Sequence, residues 1–415
     1  MPSMLIIQII SRFTGYPFLN LFFYIYTSLS PNAKSLCMSS GKNILTTIDP
    51  KNAPAIQNRI LSVDALRGFD MFWITGGAAI FTTLHDAVKS PVTGAIAEQL
   101  EHVEWQGFHF LDIVMPLFLF LTGVSMPISF KKRLQKGSTA DVWKHIFKRV
   151  IILWILGMMV QGHLLEYDFS KLAFFSNTLQ AIAAGFIFSA VIILNLNIRW
   201  QLIVTCLLPI IHSLCLYLIP VPEVGKVIIE PHQNLSLYID KLLLGSHQDG
   251  TNYTWILTSI NFTATVMTGV FASYILQSVL TSAKKLQWLF ITGLALFIGG
   301  LLLNIVDPII KHIWTTSFVL FSSGICFLLL SLFYLIVDFW NIKGWTTFFI
   351  VIGSNSILAY MMGDMFTLGD LAAVFLRGLQ SRLGEWYPFV LAVGTYTCFW
   401  LFFYYLYKKK IFIRV

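Results

Sequence analysis

Charge is what this 415-residue chain has least of: Asp, Glu, Lys and Arg together make up 12% of it, where a soluble globular chain carries about a quarter. Hydrophobic residues reach 56% and mean hydropathy is +0.73. So much apolar surface requires lipid as its solvent, which excludes a soluble fold. No polar block of domain size interrupts the apolar runs, so a single membrane domain is expected. Cysteine is sparse as well. Of Cys37, Cys206, Cys215, Cys326 and Cys398, the last four lie within apolar runs, without CxxC or Cys/His metal spacing; neither a disulfide framework nor a metal centre is expected. The chain also lacks a nucleophilic serine elbow and a phosphate-cradling glycine loop. His85, His145, His163, His212, His232 and His247 have no partners at metal-ligand spacing. The net charge of +8 lies beside membrane spans, not on an aromatic-interleaved soluble face, so anionic lipid headgroups are the expected partner and nucleic acid is not.

A helix needs about 20 apolar residues to cross the hydrocarbon core. On that criterion ten spans are predicted, near 66–84, 106–130, 146–164, 173–195, 200–220, 255–281, 286–305, 315–337, 345–367 and 387–407. The fold class is therefore all-α and polytopic, because closed backbone bonding is required in lipid. Residues 4–29 form a further apolar and aromatic segment without a small-residue cleavage site. They are either an eleventh span or signal anchor, or, given the polar stretch 30–58 with Met38 inside it, the product of an upstream start. The division is thus 1–58, apolar segment and polar linker, and 59–415, membrane domain.

Positive residues are retained on the cytoplasmic side. Lys131, Lys132, Arg133, Lys136, Lys144, Lys148 and Arg149 share one side with Arg199, Lys284, Lys285, Lys343, Lys408, Lys409, Lys410 and Arg414. The other side holds only Lys89, Lys171, Lys226, Lys241, Lys311, Arg377 and Arg382. Both termini are therefore expected in the cytoplasm.

Ionisable groups within spans are costly and mark candidate sites. His102, Trp105, His109, Asp112 and Pro116 recur at steps of three and four in EHVEWQGFHFLDIVMPLFLFLTGVS, so a helix beginning near His102 would carry them as one stripe descending from the outer surface. Imidazole suits proton transfer near neutral pH; the alternative is an interfacial histidine, a belt tryptophan and an interhelical Asp112. On such a helix Asp112 would lie about 15 Å from His102, so the partner of His102 is expected from another span. Asp364, near the outer end of the ninth span in GSNSILAYMMGD with Ser354, Asn355, Ser356 and Tyr360, is the candidate; those small polar residues could equally join helices. Lys311 and Trp314, in PIIKHIWTTSF, stand at an outer boundary, where a snorkelling lysine and a belt tryptophan are the simpler account. At the cytoplasmic start of the first span, RILSVDALRGFDMFW holds Arg59, Asp64, Arg67 and Asp70, read either as an internal Asp64–Arg67 pair or as groups that hold an anion.

Together these segments resemble the heparan-α-glucosaminide N-acetyltransferase family of membrane acetyltransferases, including its shorter bacterial members. RILSVDALRG looks like the family's R-L-x-S-x-D-x-x-R-G, and the second-span block follows its H-x-x-W-x-G-x-x-x-x-D-x-x-x-P-x-F-x-F-x-x-G-x-S. NTLQAIA, WILTSINFTATVMTGVFASYIL, IWTTSFVLFSSG, GSNSILAY and KKKIFIRV recur in family order, so the resemblance covers roughly 59–415. It departs at Ile74, where the family often has asparagine, and at Gly363 before Asp364, where it has histidine.

The resemblance implies a cytoplasmic acetyl-CoA donor and an amino sugar or glycan acceptor outside. It makes His102 the catalytic residue, as general base or as carrier of an acetyl-imidazole. Asp112 and Asp364 become its accessory groups, and Trp105, Asn355, Lys311 and Trp314 the substrate contacts. Arg59, Asp64 and Arg67 fall to the donor, with the basic loop after the second span beside its phosphates. The family's large non-cytoplasmic domain is absent before the membrane region, so a bacterial inner membrane is the expected location. Ten spans with a polar stripe also describe a small-solute transporter or lipid-linked sugar flippase, although no internal repeat is visible. A homodimer is one arrangement the sequence allows.

Overall fold

The computed structural model describes residues 60–222, 224–366 and 368–413. The expectations for 1–58 and for Arg59 and Arg414 lie outside them. The described chain is all-α and polytopic, with one two-stranded ribbon, Ile229–Glu230 against Gln233–Asn234. Its helices are α1 (Leu61–Phe72), α2 (Ala78–Val88), α3 (Pro91–Gln99), α4 (Val114–Leu134), α5 (Thr139–Val160), α6 (Thr178–Asn195), α7 (Ile198–Leu218), α8 (Leu235–Leu244), α9 (Ser259–Gln277), α10 (Ser282–Leu303), α11 (Thr316–Tyr334), α12 (Thr346–Gly353), α13 (Ser356–Met365), α14 (Leu368–Leu376) and α15 (Tyr387–Lys408).

Seven helical stretches are long and apolar enough to cross a membrane, and an eighth is added if α12 and α13, bent by 77° at their junction, count as one span. The other two of the ten expected positions are helical but more polar. One is α5, which carries Lys144, Lys148 and Arg149; the other is 61–88, which carries Asp64, Arg67 and Asp70. Between α1 and α2 the helix widens into a π-helical turn, Trp73–Gly77, where Gly76 takes φ +108, a conformation open to glycine and costly for other residues.

The centre of the bundle is α4 against α9. Of the apolar stretch of α9, 83% is buried, against 22% for α10, which faces lipid. A Cβ on Gly123 would collide with the Val266 carbonyl, and one on Gly269 with that of Phe120. The two helices therefore meet backbone to backbone, as small residues permit in membranes where no hydrophobic force draws helices together. α4 rises about 30 Å over its 21 residues, so Asp112 just before it and Arg133 near its end mark opposite faces of the protein.

Candidate active site

The segment between α3 and α4 is not the helix that the three-and-four spacing predicted. Residues 101–109 form an irregular loop, because Gly107 adopts φ +122 and its amide donates to Ile309 O at 2.9 Å, while Gln106 pairs with Ile310 as an antiparallel bridge. This seam fastens the loop to the connection between α10 and α11. A single 3-10 turn, Phe110–Ile113, follows and leads into α4.

The fold-back overturns the inference that Asp112 is too far from His102 to orient it. His102 Nδ1 lies 2.8 Å from Asp112 Oδ1, and Asp112 Oδ2 accepts from the amide of His109 at 3.0 Å, closing the turn that presents it. Lys311, brought in by the seam, donates from Nζ to Asp112 Oδ1 at 3.0 Å and stands 3.1 Å from His102 Nδ1. Side-chain exposure is 49% for His102, 8% for Lys311 and 2% for Asp112. A buried ion pair thus supports a half-exposed imidazole. An ionised carboxylate only accepts, so Asp112 favours the tautomer with its proton on Nδ1, leaving Nε2, which has no hydrogen-bond partner among the described residues, as the basic atom.

Beside this cluster is an aromatic surface. The Trp105 and His312 rings stack with centroids 5.4 Å apart, and Tyr253 lies 4.3 Å from His312 on the same stack. Burial first, and then the Lys311 charge, push His312 down to about 4, so it is neutral near pH 7. Trp314 lies elsewhere. It is 1% exposed, with Nε1 donating to Thr265 Oγ1 at 3.1 Å and its carbonyl accepting from Asn261 Nδ2 at 2.6 Å, a tie between α9 and the start of α11.

Two further expectations are corrected by position. Asp364 does not meet His102; it accepts from Gln161 Nε2 at 2.8 Å. Asn355, expected among the substrate contacts, lies against the segment that follows α15, at the other face. Its Nδ2 donates to Ile411 O at 3.0 Å and its Oδ1 accepts from Ile413 N at 2.7 Å.

That opposite face holds a chamber of about 1000 Å³. Ile60, just before α1, and the cavity-facing α1 positions Val63, Asp64, Arg67 and Asp70 follow helical spacing. Lys131, Lys132 and Arg133 from α4, His145 and Arg149 from α5, and Phe412 and Ile413 from the segment after α15 complete its polar and closing walls. The expected Asp64–Arg67 pair is present at 3.5 Å, and Arg67 Nη2 also donates to Ser125 Oγ at 2.7 Å. Spacing gave no signal for the Lys311–Asp112 pair, which joins residues 199 positions apart, nor for the aromatic partners Tyr253 and His312.

The fold and the cluster define a polytopic helical membrane protein with a supported imidazole at one face and a cationic chamber at the other. No family model matches the chain. The heparan-alpha-glucosaminide N-acetyltransferases of Mus musculus and Homo sapiens are each 27% identical to it over 76% of its length, and the chain is a distant relative of that family. It spans about half the length of these relatives, 56% of each.

Proposed function

We propose that the protein is a transmembrane acetyltransferase that moves an acetyl group from cytoplasmic acetyl-CoA to the amine of an amino sugar or glycan on the other side. The observation that carries this reading is the pairing of His102, held by Asp112 and Lys311, with a cationic chamber toward the opposite end of the same helix. In this reading the donor's phosphates bind Arg67 and Lys131 to Arg133, which are suited to phosphate oxygens. The pantetheine arm then enters between α1 and α4. An extended arm covers roughly half of the approximately 30 Å hydrocarbon core, so a vestibule this deep is what the thioester needs to approach the outer cluster.

The acceptor amine attacks the thioester carbonyl as His102 Nε2 takes its proton. The C–N bond forms, the C–S bond breaks, and CoA leaves as its thiol or thiolate toward the chamber. Asp112 stabilises the imidazolium that results, and Trp105 with His312 offers a face for the sugar ring. The protein would lie in a bacterial inner membrane with both termini in the cytoplasm. The test is transfer of labelled acetyl from acetyl-CoA to glucosamine-bearing acceptors in proteoliposomes: His102→Ala should remain folded and inactive, and wild-type turnover by that variant would remove His102 from the mechanism. Rapid quench after donor alone separates direct attack from an acetyl-His102 intermediate, since only the latter yields an acetylated protein that passes its group to acceptor.

The 77° break between α12 and α13, whose flanking Ser354 and Ser356 line the chamber, is the one feature that favours transport, because broken helices form solute sites in transporters. Solute accumulation in vesicles without acetylated product, and no thermal shift with CoA, would support that second reading.

A further inference from the structure

Asp70 is the outermost of the α1 positions that line the chamber. It is 0% exposed, and neither of its carboxyl oxygens has a hydrogen-bond partner among the described residues. Its neighbour one turn away does not satisfy it, since Arg67 bonds Asp64 and Ser125. Across the chamber, Arg149 Nε is likewise buried without a hydrogen-bond partner among the described residues, its guanidinium standing 4.5 Å over the Phe186 ring. Buried polar groups are nearly always hydrogen-bonded, and an orphan in a cavity wall needs an explanation in what the cavity holds. Depth decides what meets Asp70. From Ile60 to Asp70 the wall rises about 15 Å, and Asp70 faces the end of the chamber where Phe118 closes the α4 side, six residues or about 9 Å of helix below Asp112. Lys131, Lys132 and Arg133, which suit phosphates, lie at the other end, and Arg67 stands one turn nearer it than Asp70.

We infer that Asp70 is the binding residue for the pantetheine arm of the donor, its carboxyl accepting a hydrogen bond from an amide N–H of the arm just before the thioester. The inference rests on the acetyl-CoA reading above. It assigns α1 two functions by depth: Arg67 near the mouth for phosphate, and Asp70 at the inner end for the arm. A carboxyl oxygen accepts in either ionisation state, so the role requires only the position.

Two probes divide the donor at this point: CoA, which carries the arm, and adenosine 3′,5′-bisphosphate, which keeps phosphates of the nucleotide end and lacks it. Calorimetric titration of the full chain in nanodiscs should show wild type binding both. Asp70→Leu, close in size and apolar, should weaken CoA about tenfold or more, the cost of one hydrogen bond to a charged group, and leave the bisphosphate unchanged. It should fold with an unchanged or higher Tm, since it removes a buried group that bonds nothing in the protein. Asp70→Asn keeps an acceptor oxygen and should stay within about threefold of wild type for CoA. Equal CoA binding by Asp70→Leu, a parallel loss of bisphosphate binding, or failure of that variant to fold overturns the assignment. Wild type that binds neither probe instead removes the donor reading itself.

Discussion

Replacing Asp112 by alanine separates what the outer cluster contributes to stability from what it contributes to chemistry. In the native protein its carboxylate receives Lys311 Nζ at 3.0 Å and faces His102 Nδ1 at 2.8 Å. With Lys311 only 8% exposed, the alanine variant leaves an ammonium buried without its counter-ion, which costs about 3–5 kcal/mol. Adding Lys311→Met removes the stranded charge, and the double variant should recover to within about 1 kcal/mol of wild type, as replacement of a whole buried pair usually does. Activity should not recover. Without Asp112 the imidazole loses its orientation and its preferred tautomer, so kcat falls by about 10²–10⁴, the usual contribution of a positioned base, in the single and the double variant alike. Asp112→Asn sharpens the test: Lys311 and His102 share Oδ1, so an amide N–H placed there faces the Lys311 ammonium, and one placed at the other position faces the His109 amide. It should be less stable than wild type and, without the negative charge that stabilises the imidazolium, as inactive as the alanine variant. Unfolding in detergent, followed by circular dichroism, measures the first quantity and acetyl transfer in proteoliposomes the second. Asp112→Asn retaining turnover within tenfold of wild type, or a double variant as unstable as the single, would refute the reasoning.

Other outcomes follow from the same structure. Trp105→Ala should raise KM for acceptor about three- to tenfold with little change in kcat, the worth of one ring stack, read from initial rates at saturating donor. Gly123→Ala pushes a methyl into the Val266 carbonyl and should destabilise the α4–α9 crossing by about 1–3 kcal/mol, seen as a lower melting temperature and poorer yield of monodisperse protein. Asp240 accepts from the amides of Trp255 and Ile256 at 2.7 and 2.9 Å, and burial pushes its carboxyl up to about 7. Because the folded value lies above the unfolded one, near 3.9, its contribution is complete below about pH 4 and is lost as pH rises through about 7. The melting-temperature difference between wild type and Asp240→Asn should therefore shift in favour of the variant across that window; a difference independent of pH contradicts the buried-carboxyl account.

The helical architecture was legible because apolar runs of bilayer length are long-range signals that need no tertiary information. The ten expected positions all proved helical, though the 61–88 and Thr139–Val160 helices are too polar to be identified as spans by apolarity alone. The outer cluster was half legible. His102, Asp112 and Lys311 were each singled out, but the periodicity of His102, Trp105, His109 and Asp112 suggested a helix that Gly107 does not permit. The glycine was visible in the sequence, and its φ was not. Nor could spacing show that Ile309 and Ile310 would pair with the loop, which is what delivers Lys311. Asn355 misled for a related reason. Its polarity within an apolar run suggested a ligand contact, whereas its side chain, set at a 77° bend, ties down the backbone of Ile411 and Ile413.

The segment after α15 bears on how the protein can be handled. Phe412 and Ile413 form part of the chamber wall, fastened through Asn355. Acidic residues introduced next to Ile413 would stand at the rim of the basic vestibule and compete electrostatically with an anionic nucleotide for its cations. The loop at Lys136–Gly137 adjoins Gln135 of the same wall, so a handle there meets the same objection, and added sequence near either place is best cleaved before titration.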